Sequence, residues 1–162
     1  DELSVAVRER RLSRNFMGYT VRHAPDTIGF GTSAIGETGG AMAQNEKKLS
    51  RYFQALDEGH FATARGCLLT RDDQIRGWAI RELTCNFYLD FAELKGRWGV
   101  EFAPYFDIER KALLPMCADD FVALDDKGLT VKPLGQVFVR NVAMVFDAYL
   151  RGGLQHAFSR TV

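Results

Sequence analysis

Cysteine is scarce, neither sign of charge is in excess and long apolar runs are missing; each shortage removes a class of protein. Three cysteines occur, Cys67, Cys85 and Cys117. An odd number at such wide spacing builds no disulfide framework and offers none of the Cys-x2-Cys pairs that hold zinc or an iron–sulfur cluster. They are expected to be partly buried small hydrophobes in a reducing cytoplasm, with Cys85, beside Asn86 at a helix end, the one to follow. The 21 Lys+Arg balance 21 Asp+Glu, so no basic excess exists to neutralise a phosphate backbone, and no nucleic-acid partner is expected. The longest nearly apolar run, residues 137–150, is interrupted by Arg140, Asn141 and Asp147 and falls short of the roughly 20 residues that cross a bilayer. No membrane partner is expected. His23, His60 and His156 show no ligand spacing, so no metal site is expected from them. The start, Asp1-Glu-Leu-Ser4, lacks an initiating Met and any secretory pattern, and reads as though cut from something longer.

What remains is a soluble composition, 46% hydrophobic and 26% charged over 162 residues, enough for one compact domain with an extension. Residues 1–14 carry Arg8, Arg10, Arg11 and Arg14, a solvated terminus or, alternatively, an anion site of Arg forks. Residues 16–20 and 28–33 read as short strands around a Pro25-Asp26 turn. The second, within Gly29-Phe-Gly-Thr-Ser-Ala-Ile-Gly36, is rich in residues small enough to let a ligand or another backbone approach.

Helical periodicity begins at Asn45, with Leu49, Tyr52, Phe53 and Leu56 on one face and Gly59 as the stop. A second helix starts at Thr70-Arg-Asp-Asp73, which fits a capping box, and buries Ile75, Ala79, Ile80 and Leu83. Asp72-Asp73 and Asp125-Asp126 are thus a helix start and a turn, better than paired acids and bases. A strand at 87–91, a helix at 92–98, another at 104–116 and a hairpin of 121–124 with 129–131 follow. That order, helix, strand, helix, helix, hairpin, is winged-helix-like over residues 70–135. The last helix, 136–150, is apolar nearly all round and is expected to be buried on several sides. Deprived of one neighbour, it would make the chain self-associate.

Along the chain stand Arg14-Asn-Phe-Met-Gly-Tyr-Thr20, Ser33-Ala-Ile-Gly36, Ala43-Gln-Asn45, Leu69-Thr-Arg-Asp-Asp73, Cys85-Asn86, Leu89-Asp-Phe91, Tyr105-Phe106, Val139-Arg-Asn141, Phe146-Asp-Ala-Tyr-Leu150 and Phe158-Ser-Arg160. In these segments the chain resembles the C-terminal part of the oxygen-independent coproporphyrinogen III oxidase family of radical S-adenosylmethionine enzymes. Each segment is weak alone; their order and spacing are specific. The resemblance implies an α+β, mainly helical fold: residues 1–43 as the last strands of a partial β/α barrel, and 44–162 as a winged-helix-like lid.

It also implies a reaction, the oxidative decarboxylation of two propionates of coproporphyrinogen III to vinyl groups in haem synthesis. Family members use a [4Fe–4S] cluster that cleaves S-adenosylmethionine to a hydrogen-abstracting radical. The cluster ligands of the family, a Cys-x3-Cys-x2-Cys run, are absent here, so this chain alone is expected to be inactive and to bind neither cofactor. Its implied partners are the porphyrinogen substrate and the N-terminal barrel.

By the same resemblance Ile35, with Ala34, contacts S-adenosylmethionine as a van der Waals wall. Met17 stands where the family usually has Gln, in a motif that faces the active site, and cannot replace the amide's donor and acceptor. Tyr19, Asn15, Arg14 and Arg22 are further candidates toward the substrate, the arginines because a tetracarboxylate needs cations. The alternatives are a haem-binding or substrate-divergent paralogue, or a winged-helix nucleic-acid-binding module. For the last, the helix at 104–116 offers only Arg110 and Lys111 against Asp107 and Glu109.

Overall fold

A computed structural model describes residues 1–22 and 24–151. His23, His156 and the Phe158-Ser-Arg160 segment lie outside the described residues. In chain order the elements are α1 (Glu2–Arg8), β1 (Ser13–Asn15), β2 (Gly18–Thr20), β3 (Ile35–Thr38), β4 (Ala41–Asn45), α2 (Leu49–Asp57), β5 (Thr63–Leu68), α3 (Arg71–Asn86), β6 (Tyr88–Asp90), α4 (Phe91–Trp98), α5 (Phe102–Tyr105), α6 (Asp107–Ala118), β7 (Val122–Leu124), β8 (Gly128–Val131), α7 (Pro133–Val137), α8 (Val139–Met144) and α9 (Ala148–Arg151). The fold is mixed α and β with small sheets. Contacts divide it into one unit of Asp1–Asn15, Tyr19–Val21 and the chain from Ile75 onward, and a second of Phe16–Gly18 and Arg22–Gln74.

The first unit is built on an apolar core. Thr70 and Asp73 make the expected capping box: the Asp73 N–H donates to Thr70 Oγ1 at 3.1 Å and the Thr70 N–H to Asp73 Oδ2 at 2.8 Å. From that start α3 presents Ile75, Trp78, Ala79 and Leu83 inward, against Leu89, Leu94, Phe102, Phe106, Leu113, Val122, Leu129, Val142 and Phe146. The β6, β7 and β8 strands form an antiparallel sheet in the order β6-β8-β7. Asp125 sets the turn between β7 and β8, its carboxylate accepting the Lys127 and Gly128 N–H groups at 2.8 and 2.9 Å. Those bonds hold its pKa below the usual carboxylate value.

One buried charge stands among these side chains. Glu109, on α6, has a side chain only 2% exposed, and a single oxygen, Oε1, receives Nη1 of Arg76 and Nη1 of Arg151, each at 2.6 Å. Arg76 Nη1 also donates to the Phe146 carbonyl at 3.2 Å, and its guanidinium lies 5.4 Å from the Phe106 ring centroid. Removing either arginine would leave a carboxylate that water hardly reaches short of compensation.

The second unit is a different kind of structure. Its sheet, β3-β4-β5, is antiparallel, pairing Ile35 with Gln44 and Met42 with Cys67. Ala62 is the one buried side chain among its described residues.

Several expectations are corrected. Residues 16–20 are not one strand, because Phe16 and Met17 form the turn between β1 and β2, with Gly18 at φ 136°. Residues 28–33 are a loop, not a strand: Gly31 and Ser33 take φ of 93° and 59°, outside any extended conformation. The helix expected at 104–116 is α5 and α6, broken at Phe106 (φ −107°, ψ 37°). The helix expected at 136–150 is three short ones, broken first at Phe138 (φ −108°, ψ 24°). Its apolar circumference is not all buried, since Val142, Ala143 and Phe146 face the core while Val137 is 77% exposed. Cys67 is exposed rather than buried. Strands β4 and β5 lay in a stretch without a strand signal.

Two substitutions test this packing. Glu109→Ala removes the carboxylate oxygen that Arg76 and Arg151 share and should lower the unfolding free energy by about 1–3 kcal/mol in urea titrations. At Gly135 an added Cβ would meet the Phe121 carbonyl oxygen at 2.0 Å, so Gly135→Ala should cost about 1–3 kcal/mol.

Candidate functional site

Two places carry the candidate residues. In the first, β1 and β2 form the hairpin that bears Arg14, Asn15, Met17 and Tyr19. The Arg14 guanidinium lies 5.5 Å from the Tyr19 ring centroid, so a cation and an aromatic face are presented together. Met17 sits in the turn and is 92% exposed.

The hairpin's leading end is anchored by the Cys85-Asn86 pair that closes α3. Asn86 is buried; its Oδ1 accepts the Leu12 N–H at 3.0 Å, and its Nδ2 donates to Glu82 Oε2 at 2.7 Å. Cys85 packs with Ala6 and Leu12 of the N-terminal segment, and burial pushes its thiol pKa up. This thiol is therefore a packing group, as expected, and not an activated nucleophile. Burial likewise pushes the Glu82 carboxyl up. Arg10 adds a second fastening, its guanidinium 4.0 Å from the Tyr88 ring centroid.

In the second place, the loop 29–34 leads into β3, where Ala34 and Ile35 are half-buried. Small residues serve backbone approach here: a Cβ at Gly29 would lie 2.8 Å from the Ile35 carbonyl oxygen, and one at Gly36 2.9 Å from that of Thr27. Side chains from β4 and α2 hold the loop. Asn45 Nδ2 donates to the Gly29 and Gly31 carbonyls at 3.2 and 3.0 Å, Gln44 Nε2 donates to the Ser33 carbonyl at 3.1 Å, and the Tyr52 hydroxyl accepts the Gly31 N–H at 3.2 Å. Sequence reasoning gave Asn45 and Tyr52 no role beyond a motif match and a helix face. The signal was there, in an amide next to a run of residues with no strand or helix to satisfy their carbonyls.

Neither place fits an iron–sulfur cluster. Cys67 is exposed, Cys85 buried and Cys117 half-buried, and among the described residues no group of three or more His, Cys, Asp or Glu side chains could hold a metal ion. No helix among them is long and apolar enough to cross a membrane.

The solved coproporphyrinogen III oxidase of Escherichia coli, a radical SAM enzyme, matches 92% of this chain with 34% of its own, at a TM-score of 0.89 and 46% identity. Curated relatives named oxygen-independent coproporphyrinogen III oxidase match all of the chain: that of Escherichia coli is 45% identical, that of Helicobacter pylori (strain ATCC 700392 / 26695) 39% and that of Thermostichus vulcanus 38%. The chain spans 36%, 35% and 50% of their respective lengths. No protein-family model matches. The class of the matched solved enzyme is thus that of the radical S-adenosylmethionine enzymes. Within it, the chain belongs to the oxygen-independent coproporphyrinogen III oxidase family and corresponds to its C-terminal part.

Asn86→Asp isolates the hairpin anchor. The new carboxylate still accepts from Leu12 but meets Glu82 where an N–H stood, which should cost about 1–3 kcal/mol near neutral pH. Glu82 already has a raised pKa in the folded state, so folding favours its protonated form. The loss should shrink as pH falls through that pKa and grow as pH rises, read from urea midpoints at about pH 5 and about pH 8.

Proposed function

We propose that this chain forms the closing strands and the lid of the substrate cleft in an enzyme that decarboxylates the propionates of coproporphyrinogen III oxidatively, a step of haem synthesis. What carries the reading is the coincidence of the family segments with the polar ties: Cys85-Asn86 fastens the Arg14–Thr20 hairpin, and Gln44-Asn45 fastens the loop before Ile35. In the assembled enzyme residues 1–43 continue the barrel and 44–162 cover it. The order α3, β6, α4, α6, β7, β8 and the sheet order β6-β8-β7 support a winged-helix-like lid.

Ile35 and Ala34 form an apolar wall for S-adenosylmethionine. That cofactor, with a [4Fe–4S] cluster held outside this chain, supplies the hydrogen-abstracting oxidant. Arg14 binds a propionate carboxylate through its fork, and Tyr19 packs beside it. The alternative reading, a paralogue with a substrate that differs at the group position 17 meets, rests on Met17, which cannot offer the amide hydrogen bonds of the family's usual Gln. A nucleic-acid role has less support, because Asp107 already engages both Arg110, at 3.2 Å, and Lys111, at 2.6 Å. Large apolar side chains left exposed, Phe30, Phe61 and Leu68 among them, support self-association of the chain when it is separated from a barrel. A cytoplasmic setting fits three free thiols.

The chain alone, reconstituted with iron and sulfide, should show no stoichiometric cluster in its visible absorption, and a full cluster would refute the assignment of ligands elsewhere. The complete enzyme, given reductant and S-adenosylmethionine, should convert coproporphyrinogen III propionates to vinyl groups. Arg14→Ala should raise the KM for that substrate roughly tenfold, equivalent to about 1.4 kcal/mol of binding; no product from the complete enzyme would overturn the reading.

A further inference from the structure

We infer that Asn45, seconded by Tyr52, is a positioning residue that sets the cofactor wall at Ile35. The inference rests on the reading of Ile35 as an S-adenosylmethionine contact. It starts from a physical oddity. The loop 29–34 has two residues in the left-handed region, Gly31 and Ser33, and its crest residue Phe30 is 86% exposed. Burial of its own side chains therefore offsets little of the entropy lost in ordering it.

Hydrogen bonds order it instead, and they converge on one amide. Both N–H bonds of Asn45 Nδ2 end on carbonyls two residues apart, Gly29 and Gly31, and so fix the span between them. Tyr52 holds the N–H of the same Gly31. The Asn45 backbone N–H donates to the Ala34 carbonyl at 2.9 Å, and the Ser33 N–H donates to the Glu46 carbonyl at 2.9 Å. Gly29 in turn lies directly on the Ile35 backbone, where even a Cβ would be too close. A movement of Gly29 is therefore transmitted to Ile35 through contact, with no slack in between. Asn45 touches no reacting atom in this scheme; it acts through the loop.

Asp in place of Asn45 keeps the size and reverses the chemistry, aiming a carboxylate at two carbonyl oxygens. In the complete enzyme Asn45→Asp should raise the KM for S-adenosylmethionine roughly tenfold, the KM for the porphyrinogen staying within about twofold. Tyr52→Phe, which loses a single acceptor, should raise the same constant by about two- to fivefold. Ile35→Ala, measured alongside, tests the reading beneath: a raised cofactor KM upholds it, and an unchanged one overturns it together with the inference. With Ile35→Ala raised, an unchanged cofactor KM in Asn45→Asp overturns the positioning role and leaves the contact standing. A rise in both constants together marks a general structural defect and likewise overturns it. Should Asn45→Asp fail to fold, Tyr52→Phe decides, a selective rise supporting the role and an unchanged KM overturning it.

Discussion

The ion group at Glu109 is the constraint on which the first unit depends. A carboxylate removed from water is tolerable only where opposite charge and hydrogen bonds replace the lost hydration, and here the replacement comes from both directions in sequence: Arg76 from α3 and Arg151 from α9. Because Arg76 also reaches the Phe146 carbonyl and lies over Phe106, the charge is registered against the aromatic part of the core. Apolar packing alone accepts many arrangements of similar energy. A buried carboxylate accepts few, so Glu109 fixes how α3, α6 and the chain's last described turn meet. The far end of α3 is thereby fixed as well, and that end carries Asn86.

Asn86 and Asn45 solve the same problem in the two units. Each ties an irregular segment's backbone to a regular element through a side-chain amide. Where they differ is in support. Asn86 is buried and stands next to Cys85 and Leu12, so water does not compete for its bonds. Asn45 stands in a unit whose apolar side chains are largely exposed, and its bonds must hold with little core beneath them. A sheet with so few buried side chains gains little from the hydrophobic effect, so backbone pairing and side-chain amides carry more of its order.

Legibility in the sequence followed the range of the interaction. The capping box at Thr70 and Asp73, the Asp125 turn and the β7–β8 hairpin were readable because each is settled within a few residues. The strands β4 and β5 were not, since Ala41–Asn45 and Thr63–Leu68 mix small, polar and apolar types and acquire strand structure only by pairing with each other and with β3. The loop 28–33 misled for a related reason: its apolar and small residues suit a strand, while Gly31 and Ser33 turn it. For the candidate residues the resemblance supplied Ala34, Ile35, Met17, Tyr19 and Arg14. It could not supply Asn86 holding Leu12, or Glu109 holding Arg76, because such pairings join residues that are remote in the chain.

Met17 shows how the two sources of inference divide the work. At 92% exposure in the hairpin turn, it is little constrained by burial among the described residues. A large apolar side chain set in water costs free energy unless something apolar covers it, and an amide at the same point would not pay that cost. A thioether at this point is thus better suited to an apolar neighbour than an amide would be. The choice at position 17 is therefore made by what lies outside the turn, and not by packing within it.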